Sequence, residues 1–457
     1  MKNNNESDNL KLSKFKEKNP KKTGIIIFTI ACILLIAGVF FYTSFASFES
    51  KETYNLMEGN VKSPGDIYFA YYIDGVASQN PPLQNTEYTL DASTSSCTNG
   101  VVPTWNYASW SFLGDYTNYQ PSNNTATRCN LYFIKNQTVS TALGDLSVYP
   151  YTPDFTKSAC DDETCESHEK GIYQITDQDG TSYYYRGSVE NNYLQFAGYW
   201  WRVIRINEDG SIRIIYDGTT PHKNGESSTD RQIGASQINT SNTRNEYVGY
   251  MYALDNAHGI TTSSTIKQAN DSFYEGHLAD YAEYIDTESG FCGDRSPLNN
   301  QSGVGTGTVT TYNKGYLRMV RSTPSLNCEN TNDLYTHTSS SKGNKALTYP
   351  IGLITMDEVI LAGHGGGVFD GVSNYMPSSP NSYLRTGNNY WTMTPAGSFN
   401  PFGTTNWYAR VFHVNASGTI DDYDTTLSYG LRPTINLKST VNIVGSGTIS
   451  EPYKIVE

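Results

Sequence analysis

The sequence predicts an α+β protein: an N-terminal transmembrane helix, a small β module, then a larger domain of antiparallel sheets and long loops. Three observations lead there. Residues 24–48, GIIIFTIACILLIAGVFFYTSFASF, carry no charge. Elsewhere short apolar runs alternate with polar residues, are rich in tyrosine (36 of 457 residues) and are bounded by Gly, Asn and Asp, as strands are. Two stretches show helical spacing with start or stop signals.

Residues 1–23 form a basic cytoplasmic tail in which Lys2, Lys11, Lys14, Lys16, Lys18, Lys21 and Lys22 outnumber Glu6, Asp8 and Glu17. Crossing the hydrocarbon layer takes about 20 apolar residues, whereas a secretory h-region has only about 7–15. Residues 24–48 therefore read as a retained anchor. The lysines precede it, so the positive-inside rule puts the N-terminus in the cytoplasm and everything after residue 49 outside. The expected localisation is the cell membrane, single-pass, with extracellular C-terminal domains. A prepilin is the rival reading, but Thr29 stands where pilins carry a glutamate.

Residues 49–64 read as a polar stalk. The small β module spans 65–136: "DIYFAYYIDG" is strand and turn, Asn99-Gly100 marks a second turn, and "TRCNLYFIK" alternates as a closing strand. Trp105 and Trp110 suit its core. Residues 137–170, rich in Ser, Thr, Pro and Asp, read as a linker. The larger domain, 171–457, opens with "SYYYRG", "YLQFAGYWWRVIRI" and "SIRIIYDG". A helix is expected over 265–285, with Ile266, Phe273, Leu278, Tyr281 and Ile285 near one face. A second is marked by Thr355 and Glu358, a capping-box pair, and stops at Gly363. Strands resume in "NWYARVFHVN", "GTIDDYD", "YGLRPTINLK" and "PYKIV".

Net charge is −13, and about −17 beyond the basic tail, which argues against nucleic acid and anionic lipid as partners. Cys32 lies in the apolar segment and reads as a small apolar residue. Cys97, Cys129, Cys160, Cys165, Cys292 and Cys328 lie outside, an even number in an oxidising compartment, so disulfides are expected. Fifteen pairings are open; the preferred one joins neighbours, 97–129, 160–165 and 292–328. Zinc at "CDDETC" is the rival, but only His168 stands near enough to help, so no metal is expected.

"GYWWRVIRINEDGSIRIIYDG" carries Arg202, Arg205 and Arg213 among bulky apolar residues. Period two puts Arg202 on one face and Arg205 on the other. Both faces are mostly apolar, so the strand is expected to be central, with its arginines buried and therefore paired. Arg202, and Arg432 in "YGLRP", are expected to meet carboxylates from Asp357, Glu358 or Asp294. The alternative makes Arg202 or Arg205 part of a pocket for an anionic group. Trp391 and Trp407 raise the question of carbohydrate, although core is the commoner fate of such residues. With Arg205 they are the candidate ligand-binding residues.

Catalytic signals are thin. "GHGGG" has an oxyanion-loop pattern, yet no G-x-S-x-G occurs, and the glycines need only end a helix. His364 and His413 have no obvious serine or cysteine nucleophile partner. Asp421, Asp422 and Asp424 lack EF-hand spacing and read as a solvated turn. No catalytic residue and no cofactor is assigned.

Taken together, "YYYRGSVENNYLQFAGYWWRVIRINEDGSIRIIYDG", "FCGDR", "YPIGLITMDEVILAG", "YWTMTPAGSF" and "YGLRPTINL…GSGTISEPYKI" resemble a family of uncharacterised, membrane-anchored surface proteins of low-GC Gram-positive bacteria. The resemblance covers about 171–457. "CTNG…TW…W…CNLYF" is similar to a small β module that often precedes it. The "W…TP" segment followed by "GLRP" is distantly similar to the C-type-lectin-like fold, formylglycine-generating enzymes included, and implies a lectin-like α+β domain. No cysteine follows Cys328, and Trp407 is followed by Tyr408 and Ala409 instead of the lectin W-N-D, so neither chemistry carries over. The expected function is non-catalytic recognition or adhesion at the cell surface, with glycan or cell-wall material as partner. A structural, pilus-like component and an enzyme with an unrecognised site are the alternatives.

Overall fold

The computed structural model describes residues 67–82, 88–91, 94–98, 105–106, 111–112, 127–138, 147–159, 170–298, 300–305, 311–365, 368–369, 374–375, 378–399 and 408–456. Strand makes up 35% and helix 13%, so the fold is mostly β and the α+β expectation is corrected. The helical spacing over 265–285 yields α1, Thr265–His277, capped by Ser264, followed only by the 3-10 turn Ala279–Tyr281. Gly276 and Asp280, weak helix formers, mark the break. The other helices are short: α2, Lys314–Arg321, and α3, Met356–Leu361. No helix among the described residues is long and apolar enough to cross a membrane. Residues 24–48, on which the expected transmembrane helix rested, lie outside the described residues.

The chain divides into two compact units, Met1–Gln84 with Leu90–Phe133, and Asn85–Thr89 with Ile134–Glu457. In the smaller, Ile67–Ile73 runs parallel to Thr127–Lys135, in register from Ile67↔Thr127 to Ile73↔Phe133. Val76–Ser78 folds back on the first strand, and Ser96–Cys97 lies against the second. Leu131 and Phe133 are fully buried, the rings of Tyr72 and Tyr132 stack 4.4 Å apart, and Cys97 is bonded to Cys129.

Among its described residues the larger unit holds two large sheets and three two-stranded ribbons. One is ten-stranded, with Tyr199–Ile206 at its centre. That strand pairs along its length with Ile212–Gly218, and at its ends with Tyr193–Phe196 and Thr181–Arg186. The hairpin turns at Gly210 (φ +81°), where the missing Cβ allows the left-handed conformation. The segment expected as a linker contributes two strands: Gln137–Thr138 pairs with Asn442–Val444, and Val148–Tyr149 with Gly171–Thr176. The second sheet runs Ala235–Ser236, Tyr429–Gly430, Tyr390–Phe399, Tyr408–Val414, Ile420–Asp424, the last forming an edge. One core joins both sheets, from Val203, Ile204 and Ile214 to Tyr390, Phe412 and Ile420, and receives Met356, Val359 and Ile360 from α3. Cys292 is bonded to Cys328. Cys160 and Cys165 lie outside the described residues. Two disulfides of this kind belong to proteins of oxidising compartments and support an extracellular domain.

Candidate functional site

The arginines of the central hairpin are buried, but their partners differ from those expected. Arg202 makes no ion pair among the described residues. Its Nε donates to Asn192 Oδ1 (2.8 Å), and Nη2 donates to Val189 O (3.0 Å) and Asn224 Oδ1 (2.8 Å). The guanidinium lies 3.7 Å from the centre of the Tyr193 ring, so neutral oxygens and an aromatic face replace the carboxylate. Burial pulls its pKa below the usual arginine value. Arg432 does meet a carboxylate, but it is Asp217 (2.9 Å), shared with Arg231 (2.7 Å), and not Asp294, Asp357 or Glu358. Asp217 precedes Gly218 and looks like a turn residue in the sequence. It instead ends the strand that carries Thr434–Leu437 alongside it, which brings it to Arg432.

The three expected carboxylates serve other cations. Glu358 Oε1 receives Arg205 Nε (2.9 Å) and Arg213 Nη1 (2.8 Å). Its Oε2 accepts the Thr355 N–H (2.9 Å), and the Thr355 hydroxyl accepts the Glu358 N–H, so the capping box closes as the sequence indicates. Burial alone would raise the pKa of Glu358; Arg213 and Arg205 outweigh it and hold the group at about 2. Asp357 takes Arg318 Nε and Nη2 in a two-pronged contact (2.8 and 3.0 Å), and Asp294 takes Arg318 Nη1 (2.7 Å). Apart from Asp294 these groups line a polar cleft, with Asp177, Asp179, Glu208 and Lys342 among its other lining residues. Arg205 lies in its wall, as the pocket reading required, yet its charge is already matched by Glu358.

His364 is placed for structure. His364 donates from Nδ1 to Gly418 O (2.6 Å) and accepts the Ser382 hydroxyl at Nε2 (2.7 Å). Ser382 is the serine partner that sequence reasoning missed, because no motif surrounds it. Both residues are sealed from solvent, and burial pushes the His364 pKa down to about 4, so the pair ties the end of α3 to the turn at Gly418.

The aromatic candidates separate. Trp391 is fully buried and donates its indole N–H to Ser236 O (2.9 Å), while Trp407 lies outside the described residues. Trp391 packs against the hydrophobic cluster around Met393 and Val411, whereas Arg205 lines the cleft, so the expected joint site does not form. Trp391 instead sits at the base of an aromatic stack. His413 faces it across the strand pair, ring centroids 5.8 Å apart, and Tyr429 lies 4.8 Å from Trp391 and 4.7 Å from His413. Tyr423 stands 6.3 Å from both His413 and Tyr429 and is 44% exposed. Asp421 is the cross-strand partner of His413 and is exposed. Asp422 pairs with Arg410 (3.1 Å), whose guanidinium lies 5.6 Å from the Tyr423 ring. Asp424 accepts Asn242 Nδ2 (2.5 Å) and the Thr426 N–H (2.9 Å), so Asp422 and Asp424 are half-buried and held by protein partners, while Asp421 is exposed. The stack was missed because Tyr423 and Tyr429 are two tyrosines among many, and only strand pairing gathers them.

No family model, no curated protein and no solved structure matches the chain.

Proposed function

We propose that this is an extracellular, non-catalytic recognition protein that binds glycan or cell-wall material on the aromatic shelf of Tyr423 and Tyr429. The observation that carries this reading is the stack itself. An aromatic series rises from the buried Trp391 through His413 and Tyr429 to the exposed Tyr423, with the Asp421 carboxylate beside it. A sugar presents an apolar C–H face and a rim of hydroxyls. Exposed tyrosine rings accept the first and a neighbouring carboxylate accepts from the second. The cleft is the weaker site, because its arginines and acids satisfy one another.

Two disulfides support action outside the cytoplasm. Attachment to a membrane through residues 24–48, and kinship with surface proteins of low-GC Gram-positive bacteria, rest on sequence alone. Assembly through the Ile420–Asp424 edge is disfavoured, since Asp421, Asp422 and Asp424 put charge on a strand that would have to pair with a second copy. The test is a glycan and wall-polymer array probed with the full chain. Binding that falls about tenfold in Tyr423→Ala supports the reading, in line with the loss of one aromatic contact. Silence across wall polymers and host sugars would overturn it.

A further inference from the structure

We infer that the shelf selects glycans bearing free amino groups, N-unsubstituted hexosamine units, over neutral or anionic polymers; the inference rests on the glycan reading above. Charge around the shelf is lopsided. On the face that carries His413 and Tyr423 the strand presents Asp421, while Asp422 and Asp424 alternate to the opposite face, where Arg410 engages Asp422. Asp424 is held by Asn242 and Thr426. Asp421 differs from both. Its Oδ1 accepts the Asp422 N–H (2.8 Å), which fixes the carboxylate, and the residue is exposed.

Beside it, His413 is 2% exposed, and its Nδ1 has no hydrogen-bond partner. This buried ring nitrogen lies within the aromatic stack, beneath the exposed Tyr423. Burial drives its pKa down to about 4, with Asp421 opposing, so the imidazole is neutral and adds no positive charge that would welcome an anion.

An ammonium group suits each of these features. It can form a charge-assisted hydrogen bond to Asp421 and lie over the face of an aromatic ring. A phosphate or carboxylate polymer would meet fixed negative charge on the shelf and a net charge of −13 on the chain. An N-acetylated unit would keep the C–H stacking and lose the ionic contact.

Binding of the full chain to three probes decides the matter: a glucosamine oligosaccharide with free amines, its fully N-acetylated counterpart of equal length, and a polyglycerol phosphate. The expected result is at least tenfold tighter binding of the free-amine probe than of the acetylated one, with the phosphate polymer weakest. In Asp421→Asn, which keeps the Oδ1 acceptor, the two sugars should bind alike. Tyr423→Ala should weaken both. Equal binding of the two sugars by the native protein, a preference that survives Asp421→Asn, or tightest binding of the phosphate polymer would each overturn this inference while leaving the glycan reading intact. No binding of either sugar, together with silence on the wider array, would overturn both.

Discussion

Replacing Glu358 with glutamine removes one negative charge and little else, because Gln also serves at the third position of a capping box. Two routes give the size of the effect. The native environment holds the carboxyl at about 2 against 4.5 in the unfolded chain, worth about 3 kcal/mol of stability at neutral pH. Stripping one partner from a buried ion pair costs about 3–5 kcal/mol, and here Arg205 and Arg213 would both be left facing a neutral amide. Both routes meet near 3 kcal/mol. Urea unfolding at pH 7, followed by tryptophan fluorescence, should show Glu358→Gln losing at least that much with an unchanged m-value. The pH dependence is a second readout. The folded pKa is depressed, so the stabilisation is complete above pH 4.5 and is lost as pH falls through about 2. Glu358→Gln should lack that part of the acid slope. A loss below about 1 kcal/mol, or an acid slope matching the native one, would refute the pairing as the source of stability.

Further outcomes follow from the same structure. His364 and His413 are both driven from 6.5 to about 4 by burial, so the unfolded chain binds their protons more readily. Their stabilisation is complete above pH 6.5 and drains away as pH falls toward 4, up to about 3 kcal/mol for each. Urea titrations between pH 7.5 and 4 should show this slope, reduced in His364→Asn, and a flat profile would count against it. Reduction of Cys97–Cys129 or Cys292–Cys328, 32 and 36 residues apart, should each cost about 4 kcal/mol by the chain-entropy relation. Peptide mapping by mass spectrometry under non-reducing conditions should recover those two pairs, and any other partner for these four cysteines would be inconsistent with the fold.

Local features were legible in the sequence because short-range rules govern them. The hairpin about Gly210 follows from its turn residues and flanking apolar runs, and the α3 cap follows from two side chains three residues apart. Partner choice was not legible. Asp217 and Arg432 are separated by more than 200 residues, and nothing local distinguishes Asp217 from a turn aspartate. Arg202 shows a further limit. Sequence says that a buried guanidinium must be satisfied, but not that Asn192, Asn224 and a tyrosine face will do it. The expected helix content failed because apolar spacing at 265–285 records which residues face the core, and a turn with the right residues inward leaves the same pattern. Trp391 takes the core position that is the commoner fate of such residues and founds the aromatic stack, whose surface is Tyr423.

The closure of the large sheet by Gln137–Thr138 on Asn442–Val444, and of Leu194 on Tyr453, has a consequence in time. A polypeptide emerging from the ribosome at roughly 5–20 residues per second exposes the first of these segments tens of seconds before its mate exists. Early strands must wait, unsatisfied along one margin, until the late ones arrive. The large sheet can therefore be completed only after its last strands, Asn442–Val444 and Tyr453–Ile455, have been synthesised.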